Sequence, residues 1–216
     1  LTTISNPIKE MAAVSLSIEG GSDSLAAAAC RVDARAEAVS TSTGIDAGDG
    51  DDLLVSSGNA SAVATAESAG VSANVVIQGK TGPGGMLPFD IQGTLADVGT
   101  VARADAKGIS GGSGYDAIEA SGAVSANAAA SNLGVALGTE VISEAEKGIV
   151  IGGTAVRAST VADASAAGID SGDDSDLVHS SASIDATATA TAVSASVSLV
   201  AQGAKSKAAG LGAALA

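Results

Sequence analysis

Aromatic side chains are almost missing from this 216-residue chain, which has one phenylalanine, one tyrosine and no tryptophan. Its 46% apolar content is mostly alanine and valine. A buried alanine methyl contributes only ~0.8 kcal/mol, against ~1–2 kcal/mol for ordering one backbone residue. An alanine core therefore cannot hold a fold alone. Hydrogen-bond ladders, close backbone packing, bound ions or neighbouring subunits have to supply the difference.

Other absences narrow the function. Cys30 is the only cysteine, which excludes an intrachain disulfide and a cysteine zinc site. His179 is the only histidine, so no histidine metal cluster or catalytic triad can be assembled, and it reads as a surface residue. No serine stands with a base that would activate it. Two aromatics are too few to line a sugar-stacking cleft, so a carbohydrate-active enzyme on a β-helix is a minor alternative and the chain reads as non-enzymatic. Ten basic residues face 24 acidic ones, for a net charge of −14. With no basic stripe, nucleic acid is not an expected partner. No apolar run is long enough to span a bilayer, and none is expected to insert. The chain opens at Leu1 with neither a methionine nor a basic leader, which reads as a processed chain or an excised piece of a longer array.

What the chain has is a repeat. A glycine- and aspartate-rich loop reads GIDAGDGDDLL from Gly44, GISGGSGYDAI from Gly108 and GIDSGDDSDLV from Gly168. These starting positions set a period of about sixty residues, and self-similarity at a fixed period signals a solenoid or array. The units divide as 1–37, the end of a preceding unit, then 38–100, 101–154 and 155–216. The piece VSLSIEGGS, residues 14–22, resembles the closing part of a unit.

Each loop is preceded by a period-two alternation: Ala38, Ser40, Ser42; Ala102, Ala104, Ala106; Ala162, Ala164, Ala166. A serine follows at fixed offset (Ser57, Ser121, Ser181), and then a longer alternation. Period two means strand. Interleaved valine and threonine favour strand over the helix that alanine alone would form. In every unit the alternation changes phase at the same distance beyond the loop's first glycine: after Ala66, Ala130 and Ala190. That switch predicts a bend between two strands. Residues 24–38, with Ser24 as N-cap and dense alanine, could instead form a short helix. Residues 80–93 read as a surface excursion with an apolar plug of Met86, Leu87 and Phe89.

Together these features predict an all-β, right-handed parallel β-solenoid of β-helix or β-roll type, with a narrow Ala/Val-rich core. It is built of about sixty-residue tandem units, each with three rungs of about twenty residues. An array of small β-sandwiches is the runner-up.

The loops suggest cation chemistry. Eight of the 24 acidic residues sit in two of them: Asp46, Asp49, Asp51 and Asp52, then Asp170, Asp173, Asp174 and Asp176. Ca²⁺ takes six to eight oxygens from carboxylates and carbonyls, and glycine supplies the positive φ that turns carbonyls inward. Residues 111–119, GGSGYDAIE, fit the nonapeptide G-G-x-G-x-D-x-U-x throughout, and 47–55 and 171–179 fit it in part. On these residues the chain resembles the RTX, or haemolysin-type, calcium-binding repeats of large secreted bacterial adhesins. Here the nonapeptides stand one long repeat apart rather than in direct tandem. The resemblance implies carboxylate ligands at Asp52, Asp116 and Asp176, and inward apolar residues at Leu54, Ile118 and Val178. It implies Ca²⁺ as the bound ion and an extracellular or cell-surface protein. The expected function is that of a structural segment, an adhesive stalk or filament, partnered by itself or by further repeats of its parent chain. The alternative is an ice-binding solenoid, suggested by Thr187, Thr189 and Thr191.

Overall fold

Alternating small and β-branched residues do form strands, and the strands are long. A computed structural model describes residues 1–19, 27–78, 89–142, 149–202 and 208–215. Its strands are β1 (Thr2–Ser5), β2 (Ile8–Glu19), β3 (Ala27–Asp46), β4 (Leu53–Ser56), β5 (Ala60–Gln78), β6 (Phe89–Ser110), β7 (Ala117–Ala120), β8 (Val124–Ile142), β9 (Ile149–Asp170), β10 (Leu177–Ser180), β11 (Ile184–Gln202) and β12 (Ala208–Leu215). No helix occurs among the described residues.

The strands stack into three parallel sheets. One long sheet, the A face, runs from the edge pair β1 and β2 through β5 and β8 to β11. The other, the B face, runs β3, β6, β9, β12. A narrow third sheet of β4, β7 and β10 closes the corner between them. Every pairing is parallel, the arrangement of a β-solenoid.

One repeat is one turn, not three. Ala60 pairs with Val124, and Val124 with Ile184, so each strand lies beside its own counterpart in the next repeat. The rung of about twenty residues is therefore corrected to a rung as long as the whole repeat. Each turn consists of two long strands and one short one. The full-length strands have 19 to 22 residues, where five or six is usual. At ~3.3 Å per residue each is about 65 Å long. Among the described residues the strands of one unit pair with those of the units on either side, which excludes separate sandwiches. β2 pairs in register with β5, Val14 beside Ala73, so the N-terminal segment occupies the place of a preceding turn.

Between the two long faces the core is alanine. Ala38, Ala62, Ala64, Ala66, Ala102, Ala104, Ala106, Ala126, Ala128 and Ala130 form one buried cluster, with Ala162, Ala164 and Ala166 packed against it. At the corner, larger residues fill the widening space: Ile109, Ile118 and Val124 are fully buried.

The phase switch is not a bend. β5, β8 and β11 run straight through it, and the even-numbered positions of β5 and β8 stay inside on both sides. The chemistry of the two faces is what exchanges. Beyond Ala66 the buried positions are Ser68, Gly70, Ser72, Asn74 and Val76, while Ala69, Val71, Ala73, Val75 and Ile77 turn outward. A period-two pattern reports sides of a strand and not its path, so an exchange of chemistry looks the same as a kink.

Side-chain hydrogen bonds tie the sheets together where alanine gives out. Ser68 donates to the Ala36 carbonyl (3.1 Å) and Ser72 to that of Val32 (3.4 Å). The Asn132 amide donates to the carbonyls of both Thr100 (2.7 Å) and Val161 (2.8 Å). These carbonyls have a second lone pair to offer beyond the ladder. The sheets approach closely here: a Cβ on Gly70 would lie 2.6 Å from Thr100 Cγ2, and one on Gly134 would lie 2.8 Å from Thr160 Cγ2.

The alternative of a short helix over 24–38 is also corrected. From Ala27 onward the segment is strand β3, paired along its length with β6. Ladder hydrogen bonds outweigh alanine's weak helical preference. Residues 24–26 lie outside the described residues, as do 80–88 of the predicted excursion, including Met86 and Leu87. Phe89 opens β6.

Candidate functional site: the stacked aspartate corners

The three Gly–Asp loops lie one above another at a single corner. Asp49 bridges to Ser113, and Ser113 to Asp173. The stacking is fixed by backbone hydrogen bonds between turns: Ala47 N to Ser110 O (3.0 Å), Gly50 N to Ser113 O (2.7 Å), Ser113 N to Gly48 O (3.1 Å), Gly111 N to Asp170 O (2.8 Å) and Asp173 N to Gly112 O (3.0 Å).

Glycine makes the turn possible. Gly48, Gly112 and Gly172 have φ of 97°, 102° and 98°. Two residues on, Gly50 and Gly114 have φ of 116° and 122°. The third corner carries Asp174 at that place, and it adopts φ 82°. Aspartate is among the few residues that tolerate the left-handed region, so the corner keeps its shape without the glycine.

The aspartates divide into two groups. Asp52, Asp116 and Asp176 form a ladder along the solenoid axis. The Asp52 N–H donates to Asp116 Oδ1 (3.0 Å), and the Asp116 N–H to Asp176 Oδ1 (3.0 Å). Asp116 is 1% exposed. The second oxygens, Asp52 Oδ2 and Asp116 Oδ2, are buried with no hydrogen-bond partner. The second group faces outward. Asp49 Oδ1 accepts from the Ser113 hydroxyl (2.7 Å) and Asp51 Oδ1 from the Tyr115 N–H (2.9 Å). Asp46, Asp173 and Asp174 are exposed at the rim.

The chain brings one cation of its own. Lys107 Nζ lies 2.7 Å from Asp170 Oδ2. The hydrogen bond from Lys107 holds the Asp170 carboxyl below its ordinary value of 3.8, while that bond to Asp170 raises the Lys107 ammonium above its ordinary value of 10.5. A depressed carboxylate contributes stability above the unfolded value and loses it as pH falls through the folded one. The raised ammonium contributes below 10.5 and loses its share as pH climbs past the folded value. Both side chains are about a third exposed, so the pair is worth at most ~1 kcal/mol. In carbonyl-detected NMR the Asp170 carboxylate is expected to titrate below 3.8, and Lys107→Met to bring its midpoint back up. An unchanged midpoint would remove the ion pair from the account.

The apolar residues beside the ladder sit as expected where a turn covers them. Ile118 is 2% exposed and Leu54 packs partly buried against the same cluster, while Val178, in the last turn, is 44% exposed. His179 is exposed and pairs in register with Glu119.

The geometry limits how a divalent cation could bind. Calcium–oxygen distances are ~2.3–2.6 Å, whereas Asp49 and Asp173 stand two strand spacings apart, about 10 Å. A single ion therefore cannot bridge the two acidic corners across the middle one. Among the described residues, no three His, Cys, Asp or Glu side chains converge as a ready-made shell. An ion at either corner would draw on that corner's exposed carboxylates, on loop carbonyls and on water.

The threonine row is confined to one turn. Thr187, Thr189 and Thr191 lie beside Asn127, Ala129 and Ser131, which lie beside Val63, Thr65 and Glu67. Among the described residues, no flat threonine array extends over the A face. Sequence reasoning missed the hydrogen-bonded ladder of aspartates; its signal was the one aspartate kept in all three loops. Compared with protein-family models, curated proteins and solved structures, the chain matches none.

Proposed function

We propose that this chain is a structural segment of a secreted or cell-surface repeat protein, and that it builds an extracellular filament or wall with an adhesive role. The observation that carries the reading is the ladder of like turns with open edges. β11 and β12 end one side of the stack, and β1, β2 and β3 the other. Ala186, Ala188 and Ala190, which correspond to buried alanines in β5 and β8, are exposed on β11. Unpaired edges over an uncovered core favour addition of a further turn, from another copy or from the same parent chain. Pro7, which has no N–H, interrupts the opposite edge at a single point.

Calcium enters this proposal as an ion at the corner. Asp46, Asp49 and Asp51 would hold it in the first turn, and Asp170, Asp173 and Asp174 in the third, while Asp52, Asp116 and Asp176 stay in the ladder. The crowding of exposed carboxylates supports it. When bound, the ion would neutralise the corner and stiffen it; the ladder of hydrogen bonds would position the loops with or without it.

Sedimentation and negative-stain microscopy with Ca²⁺ and with chelator test both parts. The expected result is linear, edge-to-edge assemblies, with a melting temperature raised by Ca²⁺. A compact monomer under both conditions would sink the filament reading. Unchanged melting with no heat of Ca²⁺ titration would remove calcium alone.

A further inference from the structure

The exchange of chemistry halfway along the A-face strands leaves an unusual surface. The outward positions beyond the switch are Ala69, Val71, Ala73, Val75 and Ile77 on β5, then Leu133, Val135, Leu137, Thr139 and Val141 on β8. On β11 they are Val193, Ala195, Val197, Leu199 and Ala201. None is charged and Thr139 alone is polar. The parallel register sets them in straight columns, such as Ala73–Leu137–Val197. The larger ones stand well out of the sheet: Leu133 is 44% exposed, Leu137 39%, Val197 44% and Leu199 58%. The polar residues that would ordinarily cover such a strand are inside, bonded to the B face.

We propose that this apolar half-face pairs with the same half-face of a second copy of the chain, solenoid side against solenoid side. Area supports that occupant. Eight residue steps of ~3.3 Å and three strands at ~4.8 Å, with a side chain's width at each margin, give about 500 Å² per copy. The pair would bury about 1,000 Å², the lower bound of a specific interface. Each added turn contributes roughly 150 Å² more per copy.

Charge supports it too. The near half of the same face is polar, with Ser61, Thr65 and Glu67, Ser125, Asn127 and Ser131, and Asp185 and the threonines of β11. The B face carries alternating charges, among them Arg31 and Arg35 paired with Asp33, and Arg103 with Glu37. The apolar patch is confined to one half of one face, so association through it closes at two copies. A two-fold axis through the patch sends the polar halves, and the acidic corners beyond them, to opposite ends. That arrangement keeps two molecules of net charge −14 from opposing their aspartates. The same charge disfavours an anionic bilayer. This pairing goes beyond the proposed edge-to-edge growth and does not depend on it.

The test is sedimentation velocity of the whole chain from about 1 to about 200 μM, spanning the affinities of small interfaces. A monomer–dimer equilibrium is expected. The variant V71T/V135T/V193T/V197T keeps shape and β-branching while removing apolar character. It is expected to retain the wild-type strand signal in circular dichroism and to weaken the dimer at least tenfold. Equal dimerisation of variant and wild type would overturn the pairing, because association through the strand edges would survive these changes. A monomer at every concentration would overturn it as well. So would a monomer that co-floats with neutral phosphatidylcholine vesicles, since lipid would then be the occupant.

Discussion

Alanine at Gly112 is expected to dismantle the corner. The residue sits at φ 102°, where a side chain is already strained, and a Cβ there would overlap the carbonyl oxygen of Gly48 in the turn below. Left-handed backbone costs a non-glycine residue ~1–2 kcal/mol. The clash with backbone cannot be relieved by a rotamer, so the two turns must separate and their hydrogen bonds must lengthen. A loss of at least ~3 kcal/mol follows, a large share of the ~5–15 kcal/mol that holds an ordinary domain folded. The chain supplies its own control. Gly48 has nearly the same φ, 97°, but nothing lies within 4 Å of its missing Cβ. Gly48→Ala is therefore expected to cost only ~1–2 kcal/mol. Urea denaturation of both variants separates the two terms. Equal losses would mean that turn-to-turn contact at the corner is unimportant.

Asp116 provides the second large effect, and its two substitutions are expected to diverge. Asp116→Ala strips the acceptor from the half-buried Asp52 N–H. Leaving that donor unpaired costs about 1–3 kcal/mol. Asp116→Asn keeps an oxygen for that N–H and removes a carboxylate that is 1% exposed. An amide of the same shape still accepts from that N–H, and a neutral group costs less to bury than a charged one. The asparagine variant is thus expected within ~1 kcal/mol of wild type. Thermal melting with Ca²⁺ and with chelator makes the comparison decisive for the corner's chemistry. If Asp116→Asn melts as early as Asp116→Ala, and only when Ca²⁺ is present for the wild type, then the carboxylate serves an ion rather than the ladder.

Much of this architecture can be read from the residues. The alternation of Ala102, Ala104 and Ala106 shows which side faces in, because strand sides have a period of two whatever the strand pairs with. The shared loop locates the corner, and the match of residues 14–22 to a unit's end points to the place of β2. The repeat spacing does not say how many turns a unit makes. One long turn and three short ones give the same period, and only the Ala60–Val124 register decides between them. The switch at Ala66 misleads for a related reason. Polar residues inside and apolar ones outside contradict ordinary expectation, so a bend is the more economical reading. What makes the exchange possible lies across the gap between sheets, in the carbonyls of Val32, Ala36 and Thr100 that accept from Ser72, Ser68 and Asn132. No local pattern records those partners. At the corner, the kept aspartate is visible, yet its partner is the backbone of Asp52, a whole turn away.

One turn per repeat also determines what such a chain is good for. Each repeat raises the stack by one strand spacing, ~4.8 Å, while laying down a band about 65 Å wide. A tether reaching about 500 Å would then need roughly a hundred turns, on the order of six thousand amino acids. Reach per residue is poor; coverage per residue is good. A polypeptide wound this way is broad across its axis and short along it.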